Sequence, residues 1–379
     1  MNILDSFFSL FSHDIGIDLG TANTLVWVRG KGIAIREPSV VAMHKKTKQI
    51  IAIGAEAKKM LGKTPASILT IRPLRNGVIA DFDATAAMIS HYIKEVHQMG
   101  GFLPFSLIHP KVVIGIPSAV TEVQRRAVWE AALAAGAREA YLIEEPMAAA
   151  IGAGVSVFQP TGVMVVDIGG GTTEIAIICL GGIVVSRSLK AAGDEMDQAI
   201  LHYIRLRHGM LLGERTAEEL KIHIGTAYEE NAKFKVQYPK GTSFKEAASA
   251  KVKDEGKKIE SKVSIVRGRD LESGLPRGLK ITEIEVREAL APVLSEIVDG
   301  IVEVLEEAPP ELTSDILEHG ILLTGGGAKL PGLDRLIVER TRMPVTLAED
   351  PLTTVVRGTG KVLEDPKLLS RVKVTGGLK

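Results

Sequence analysis

The chain has one cysteine, Cys179, so no disulfide framework can form within it. Its place in an apolar strand pattern reads as a small core residue, not a nucleophile. Charge of one sign is also missing. The 46 basic residues balance 46 acidic ones, so no global field points to nucleic acid as a partner. No apolar run is long enough to span a bilayer. The N-terminus lacks the basic flank and small-residue cleavage site of a signal peptide. These absences make a reducing cytoplasm the expected setting. At 379 residues the chain exceeds one ordinary core and suits two domains or two large lobes.

What is present centres on Val163-Met164-Val165-Val166-Asp167-Ile168-Gly169-Gly170-Gly171-Thr172-Thr173-Glu174, continued through Ile175 to Ile178. An apolar run enters, another leaves, and an aspartate, three glycines and two threonines lie between, which reads as strand, tight turn, strand. Glycines let backbone N–H groups converge on an anion, threonine hydroxyls add donors, and an aspartate at a strand end holds Mg2+ through its waters. An ordinary glycine hairpin is the competing reading. It loses ground because Ile15-Gly16-Ile17-Asp18-Leu19-Gly20-Thr21-Ala22-Asn23-Thr24 repeats the layout, with Asp18 matching Asp167. Each copy runs through a second glycine turn, at Gly30-Lys31-Gly32 and Gly181-Gly182, into a third strand. Two similar halves, each offering one phosphate-binding hairpin to a shared cleft, follow from this duplication.

Other segments fill in the plan. Ile3, Leu4, Phe7, Phe8, Leu10 and Phe11 share one broad helical face near the N-terminus. This reads as a short interfacial anchor, against a terminal helix packed on the protein's own surface. Phe102, Leu103 and Phe105 in a glycine-proline loop offer either buried anchoring or a second insertion into a membrane. Glu37 to Asp83 reads as short strands and a short helix, and Asp83 to Val96 as helix. Lys111 to Pro117 is a buried strand; Thr121 with Gln124 caps the helix after it, which stops at Gly136. The strand Tyr141-Leu142-Ile143 ends in Glu144-Glu145-Pro146 before an alanine-rich helix from Met147. A carboxylate at that junction can orient or deprotonate a water, and either glutamate can instead cap the helix. Helices follow near Glu195–His208 and Thr216–Ile224. Lys233 to Lys262 is lysine-rich and apolar-poor and reads as a solvated, mobile insertion more readily than as a basic docking patch. Thr282 with Glu285 opens a long helix to Glu307 that Pro292 kinks or interrupts. Ile321 to Ala328 is a third strand-to-glycine turn, where bare backbone lets a ring or ribose approach. Val345-Thr346-Leu347 leads to a final helix around Val355–Leu363.

In this order these parts resemble the actin, sugar-kinase and heat-shock-chaperone ATPase superfamily. Asp14 to Thr24, Glu37-Pro38-Ser39-Val40-Val41-Ala42, Ile143 to Gly152, Ala192 to Asp197 and Gly213 to Glu218 are similar to the MreB family of bacterial actins, over nearly the whole chain. The segment 233–262 departs from that pattern in length. The resemblance implies an α/β fold of the actin-like ATPase type: two lobes, each with a duplicated mixed β-sheet core flanked by helices, and a nucleotide cleft between them. It implies a lobe of residues 13–158 plus 344–379 (small subdomain about 41–84) and a lobe of 159–343 (small subdomain about 204–276). Asp18 and Asp167 would hold Mg2+ through water, and Glu145 would position the hydrolytic water. Gly20, Thr21, Ala22 and Asn23 with Gly169, Gly170, Gly171 and Thr172 would wrap the phosphates of ATP. Glu218 and Lys221 would flank the adenosine, with Gly325, Gly326 and Gly327 beneath it, and Gly193, Asp194 and Ala328 would also belong to the nucleotide site. The implied function is slow ATP hydrolysis coupled to filament assembly, on the inner face of the cytoplasmic membrane. The implied partners are other copies of the chain, that membrane surface and membrane proteins of cell shape and wall synthesis. A small-molecule kinase or a chaperone ATPase is the alternative on this fold. The chain's end after the core, without a peptide-binding domain, counts against the chaperone.

Overall fold

The computed structural model describes residues 13–98, 109–228 and 262–374. The expected N-terminal anchor, the Phe102-Leu103-Phe105 loop and all of the lysine-rich segment except Lys262 lie outside the described residues.

Two five-stranded sheets carry the fold. The first is built from β1 (Ile15–Leu19), β2 (Asn23–Val28), β3 (Gly32–Pro38), β4 (Lys111–Ile116) and β5 (Glu139–Glu144). The second is built from β6 (Val163–Ile168), β7 (Thr173–Cys179), β8 (Gly182–Leu189), β9 (Ile321–Thr324) and β10 (Val345–Leu347). Their orders are β5-β4-β1-β2-β3 and β8-β7-β6-β9-β10 written from opposite ends, and the pairings are equivalent. In each, an antiparallel meander of three strands continues into two parallel strands. Even the bulge recurs, between Val26 and Trp27 in one and Ile177 and Ile178 in the other. The repeat seen in the glycine turns is therefore a repeat of topology. Strand β6, apolar apart from Asp167, is buried at every residue, as a central strand covered on both faces must be.

Each lobe has its own core, one around β1, β2, β4 and the helix Phe82–Gln98, the other around β6, β7 and the helices Gly193–His208 and Glu283–Glu307. A small sheet of Val41–His44, Ile50–Ile53 and Ile68–Ile71 extends the first lobe, and one of Met210–Leu211, Val263–Asp270 and Pro276–Thr282 extends the second. Both expected capping boxes form, Thr121 with Gln124 and Thr282 with Glu285.

Four local expectations need adjustment. The helix Glu283–Glu307 is continuous through Pro292, which lies on its exposed side, where water can satisfy the freed Glu288 carbonyl. Val345–Leu347 completes the second sheet, so the return to the first lobe begins beyond Leu347, not at residue 344. The helix Thr354–Glu364 is not the last. Asp365 accepts from the N–H groups of Lys367 and Leu368 and starts another helix, Pro366–Val372. Cys179 ends β7 half-buried, not in the core, because the chain turns outward there.

The lobes are joined through a third core in which the helix Glu145–Gly152 crosses the helix Thr354–Glu364. The crossing is backbone against backbone. A Cβ on Gly152 would overlap the Thr354 carbonyl oxygen, and one on Gly358 the Ala148 carbonyl. Lys361 closes the joint by donating to the carbonyls of Ile151 and Gly152 at 2.9 and 3.2 Å. Neither partner can rotate away, so Gly358→Val should cost about 3 kcal/mol, the upper end for overpacking. Chemical denaturation will check this, and an unchanged midpoint would show that the two helices can part.

Candidate functional site

A cavity of about 460 Å³ lies between the sheets, and the ends of β1 and β6 project into it. Asp18 is opposite Leu25 across the first hairpin and Gly115 on β4; Asp167 is opposite Glu174 and Thr324. The duplicated topology thus presents two aspartates from equivalent positions. Glu145, the first residue of its helix after β5, completes the acidic floor. Of the two adjacent glutamates, Glu145 lines the cavity, and Glu144 makes no side-chain cap.

No basic side chain among the described residues offsets these three carboxylates. Burial pushes Asp18 up to about 7. Burial, then the charges of Glu174, Asp18 and Asp167, holds Glu145 well above the carboxylate range. Burial, then Asp18 and Glu174, does the same to Asp167. Such a trio either holds protons or is balanced by a bound cation. Glu174 is the contrast. It is fully buried yet satisfied, accepting from Ser118 N and Oγ at 3.0 and 2.7 Å and from Ser188 Oγ. These bonds tie β7 to the turn after β4, a role the sequence reading missed.

The two glycine turns face each other at contact distance. A Cβ on Gly170 would meet Ala22, and one on Gly171 would meet the Thr21 side chain. Ser39 fixes the first turn, its Oγ donating to Gly20 O at 2.6 Å and its N–H to Ala22 O at 3.0 Å. The second is closed by Gly169 N donating to Thr172 O at 2.8 Å. Thr173 is not available to a ligand, because its hydroxyl donates to Ala191 O at 2.6 Å. Gly325 has φ +86°, and a Cβ there would strike Ile168 O and Asp167 Oδ1, so only glycine lets this turn pass under the acidic floor.

All the expected site residues line this cavity except Ala328, which turns into the core of the second lobe. Lys221 is not a free cation. It pairs with Asp197 at 2.8 Å and donates to Gly193 O at 2.7 Å, while burial pushes Asp197 up to about 6 against the pull of Lys221. Asp197 and Met196 were missed, although Gly193 and Asp197 are one helical turn apart on the same face. Lys329, Leu330, Leu352 and Val355 also line the cavity. They come from loops and a helix start that carry no motif.

Two sheets of one topology meeting over a glycine-walled acidic cleft define the actin-like class of nucleotide-binding folds. Residues 12–243 and 240–371 match the model of the MreB/Mbl protein family. The chain belongs to that family. It is 49% identical over 366 residues to the cell shape-determining protein MreB of Escherichia coli (strain K12), covering 96% of both chains. It is 44% identical to the cell shape-determining protein Mbl of Bacillus subtilis (strain 168), covering 97% of this chain and 100% of that one. The crystal structure of MreB 5 of Spiroplasma citri bound to AMPPNP superposes with TM-score 0.81 at 36% identity, covering 94% of this chain and 97% of the other.

Proposed function

We propose that this chain is a membrane-associated bacterial actin-like cytoskeletal protein that binds and slowly hydrolyses ATP with Mg2+. In this reading it assembles into filaments on the inner face of the cytoplasmic membrane and organises cell-wall synthesis to maintain rod shape. The observation that carries the reading is the convergence of Asp18, Asp167 and Glu145 on one cavity with no counter-charge among the described residues. Among the described residues no three acidic, histidine or cysteine side chains come close enough to ligate an ion directly. Asp18 and Asp167 would hold Mg2+, through its waters as the family resemblance implies. When bound, Mg2+ supplies charge neutralisation at the phosphates. Backbone N–H groups of the turns at Gly20–Asn23 and Gly169–Thr172 orient the phosphates, and Glu145 holds the attacking water and takes its proton. The likeness to a relative bound to AMPPNP and to relatives named for cell shape supports the ligand and the setting.

Head-to-tail repetition of an asymmetric two-lobed subunit gives a filament when no ring closes. Light scattering with Mg2+-ATP should rise above a critical concentration. Scattering that stays at the monomer level over a wide protein range, on lipid as well, would count against assembly.

Membrane attachment draws on the two apolar segments outside the described residues. His13, just after the first segment, and His97, just before the second, have ring centroids 6.3 Å apart. The described residues that border the two segments therefore lie at one corner of the first lobe. Each apolar face would contribute a few kcal/mol, multiplied along a filament by effective concentration. Deleting residues 2–11, or making Phe102→Ser with Phe105→Ser, should release the protein from liposomes in co-sedimentation while polymerisation persists. Equal pelleting of the intact chain and both variants would make these faces core.

A further inference from the structure

We propose that Lys58 and Arg72 form a latch across the cleft that sets how fast nucleotide leaves, a role that rests on the nucleotide reading of the cavity. Lys58 is in the last turn of the helix Ala55–Met60, in the small subdomain of the first lobe. Its Nζ donates to both carboxylate oxygens of Glu218 at 3.1 and 3.0 Å. Arg72 follows the strand Ile68–Ile71, and its guanidinium lies 3.0 Å from Asp194 Oδ1 and 3.9 Å from Glu214 Oε2. Both cations belong to one lobe and all three acids to the other, on the helices Gly193–His208 and Glu214–Ile224. Asp194 and Glu218 line the cavity, whereas Lys58 and Arg72 do not. The pairs therefore close the cleft without being part of its lining.

Each half of the latch is tied to one phosphate turn. On the second lobe, Asp194 N donates to Gly170 O at 2.7 Å and Gly193 N to Gly169 O at 3.1 Å. On the first lobe, the hairpin just after Arg72 brings Gly77 N to Thr21 Oγ1 at 3.1 Å. A ligand that draws the turns at Thr21 and Gly170 together aligns the charged groups as well, and a ligand leaving the cleft must first part them. The side chains are 28–36% exposed on Lys58, Arg72, Glu218 and Asp194, so water and salt screen them. Pairs of this kind shift a rate modestly, about three- to tenfold for the two together. That suits a device that regulates exchange, not one that blocks it.

The test is the dissociation rate of a fluorescent ADP analogue from the full chain with Mg2+, chased by excess ATP at low and high potassium chloride. The Lys58→Ala/Arg72→Ala variant should release the analogue about three- to tenfold faster than wild type at low salt. Its rate should no longer rise with salt, whereas Lys58→Arg alone should keep both the slow rate and the salt response. Lys59→Ala is the control, since Lys59 pairs with Glu56 inside its own helix. An unchanged rate in the double variant, or an equal acceleration in Lys59→Ala, would overturn the latch. Should the double variant fail to fold, a salt-independent rate in wild type overturns it, and a salt-accelerated one supports it. Wild-type protein that retains no analogue would instead overturn the nucleotide reading, and the latch with it.

Discussion

Glu145→Ala should slow single-turnover hydrolysis by a factor on the order of 10^2 or more and leave nucleotide affinity nearly intact. The side chain sits on the cleft floor, where its charge is disfavoured by burial and by three neighbouring acids. A carboxyl held well above its ordinary range is a stronger base once ionised, and a bound cation makes ionisation accessible near neutral pH. Hydrolysis should therefore rise with pH in the native protein and lose that dependence in Glu145→Gln. Unchanged turnover in Glu145→Ala would remove this residue from the chemistry. Glu144→Ala is the matching control, because its side chain does not line the cavity.

Asp167→Asn should weaken Mg2+-dependent ATP binding by about ten- to hundredfold and, in the metal-free protein, raise thermal stability above neutral pH. The sign follows from linkage. An acid whose folded pKa is raised above its unfolded value takes up a proton on folding. Its contribution is fully present below the unfolded value and is lost as pH rises through the folded one. Asp18, pushed up to about 7 from about 4 unfolded, places that loss between about pH 4 and 7. Asp167 is shifted in the same direction by burial, Asp18 and Glu174. Replacing it by asparagine removes one buried charge and relieves Asp18. Melting curves without metal from pH 5 to 8 should then flatten relative to wild type, while magnesium titrations with ATP lose affinity. A variant that melts lower at every pH would show that the Asp167 charge is not the source of the strain.

The nucleotide cleft was legible because its parts repeat. Asp18 and Asp167, each at the end of an apolar run and before a glycine turn, could be matched by spacing alone, and topology preserves that match strand by strand. Residue pattern narrowed the junction carboxylate only to Glu144 or Glu145, since alternation at a strand end puts neighbours on opposite sides and pattern does not say which side is the cleft; the family resemblance singled out Glu145. Glu174 was passed over for the same reason. Inside an apolar strand it gave no sign of the two serines, from distant segments, that satisfy it. Ala328 went the other way. The glycine turn was recognised, but where the turn ends and the core begins depends on how the 3-10 turn Gly327–Lys329 packs on Ile168.

The sequence by itself determined the duplicated α/β plan, the helix caps and the acidic and glycine-rich chemistry of the cleft. Those follow from local periodicity, turn stereochemistry and side-chain type, all carried by neighbours in the chain. Only the tertiary structure decided which charges are spent on one another. Lys221 is held by Asp197, Asp194 by Arg72 and Glu218 by Lys58, whereas Asp18, Asp167 and Glu145 face the cavity with no basic side chain among the described residues to offset them. Ion pairing and desolvation act through space across elements far apart in sequence. Composition, with its balanced charge, holds no record of which pairs the fold brings together.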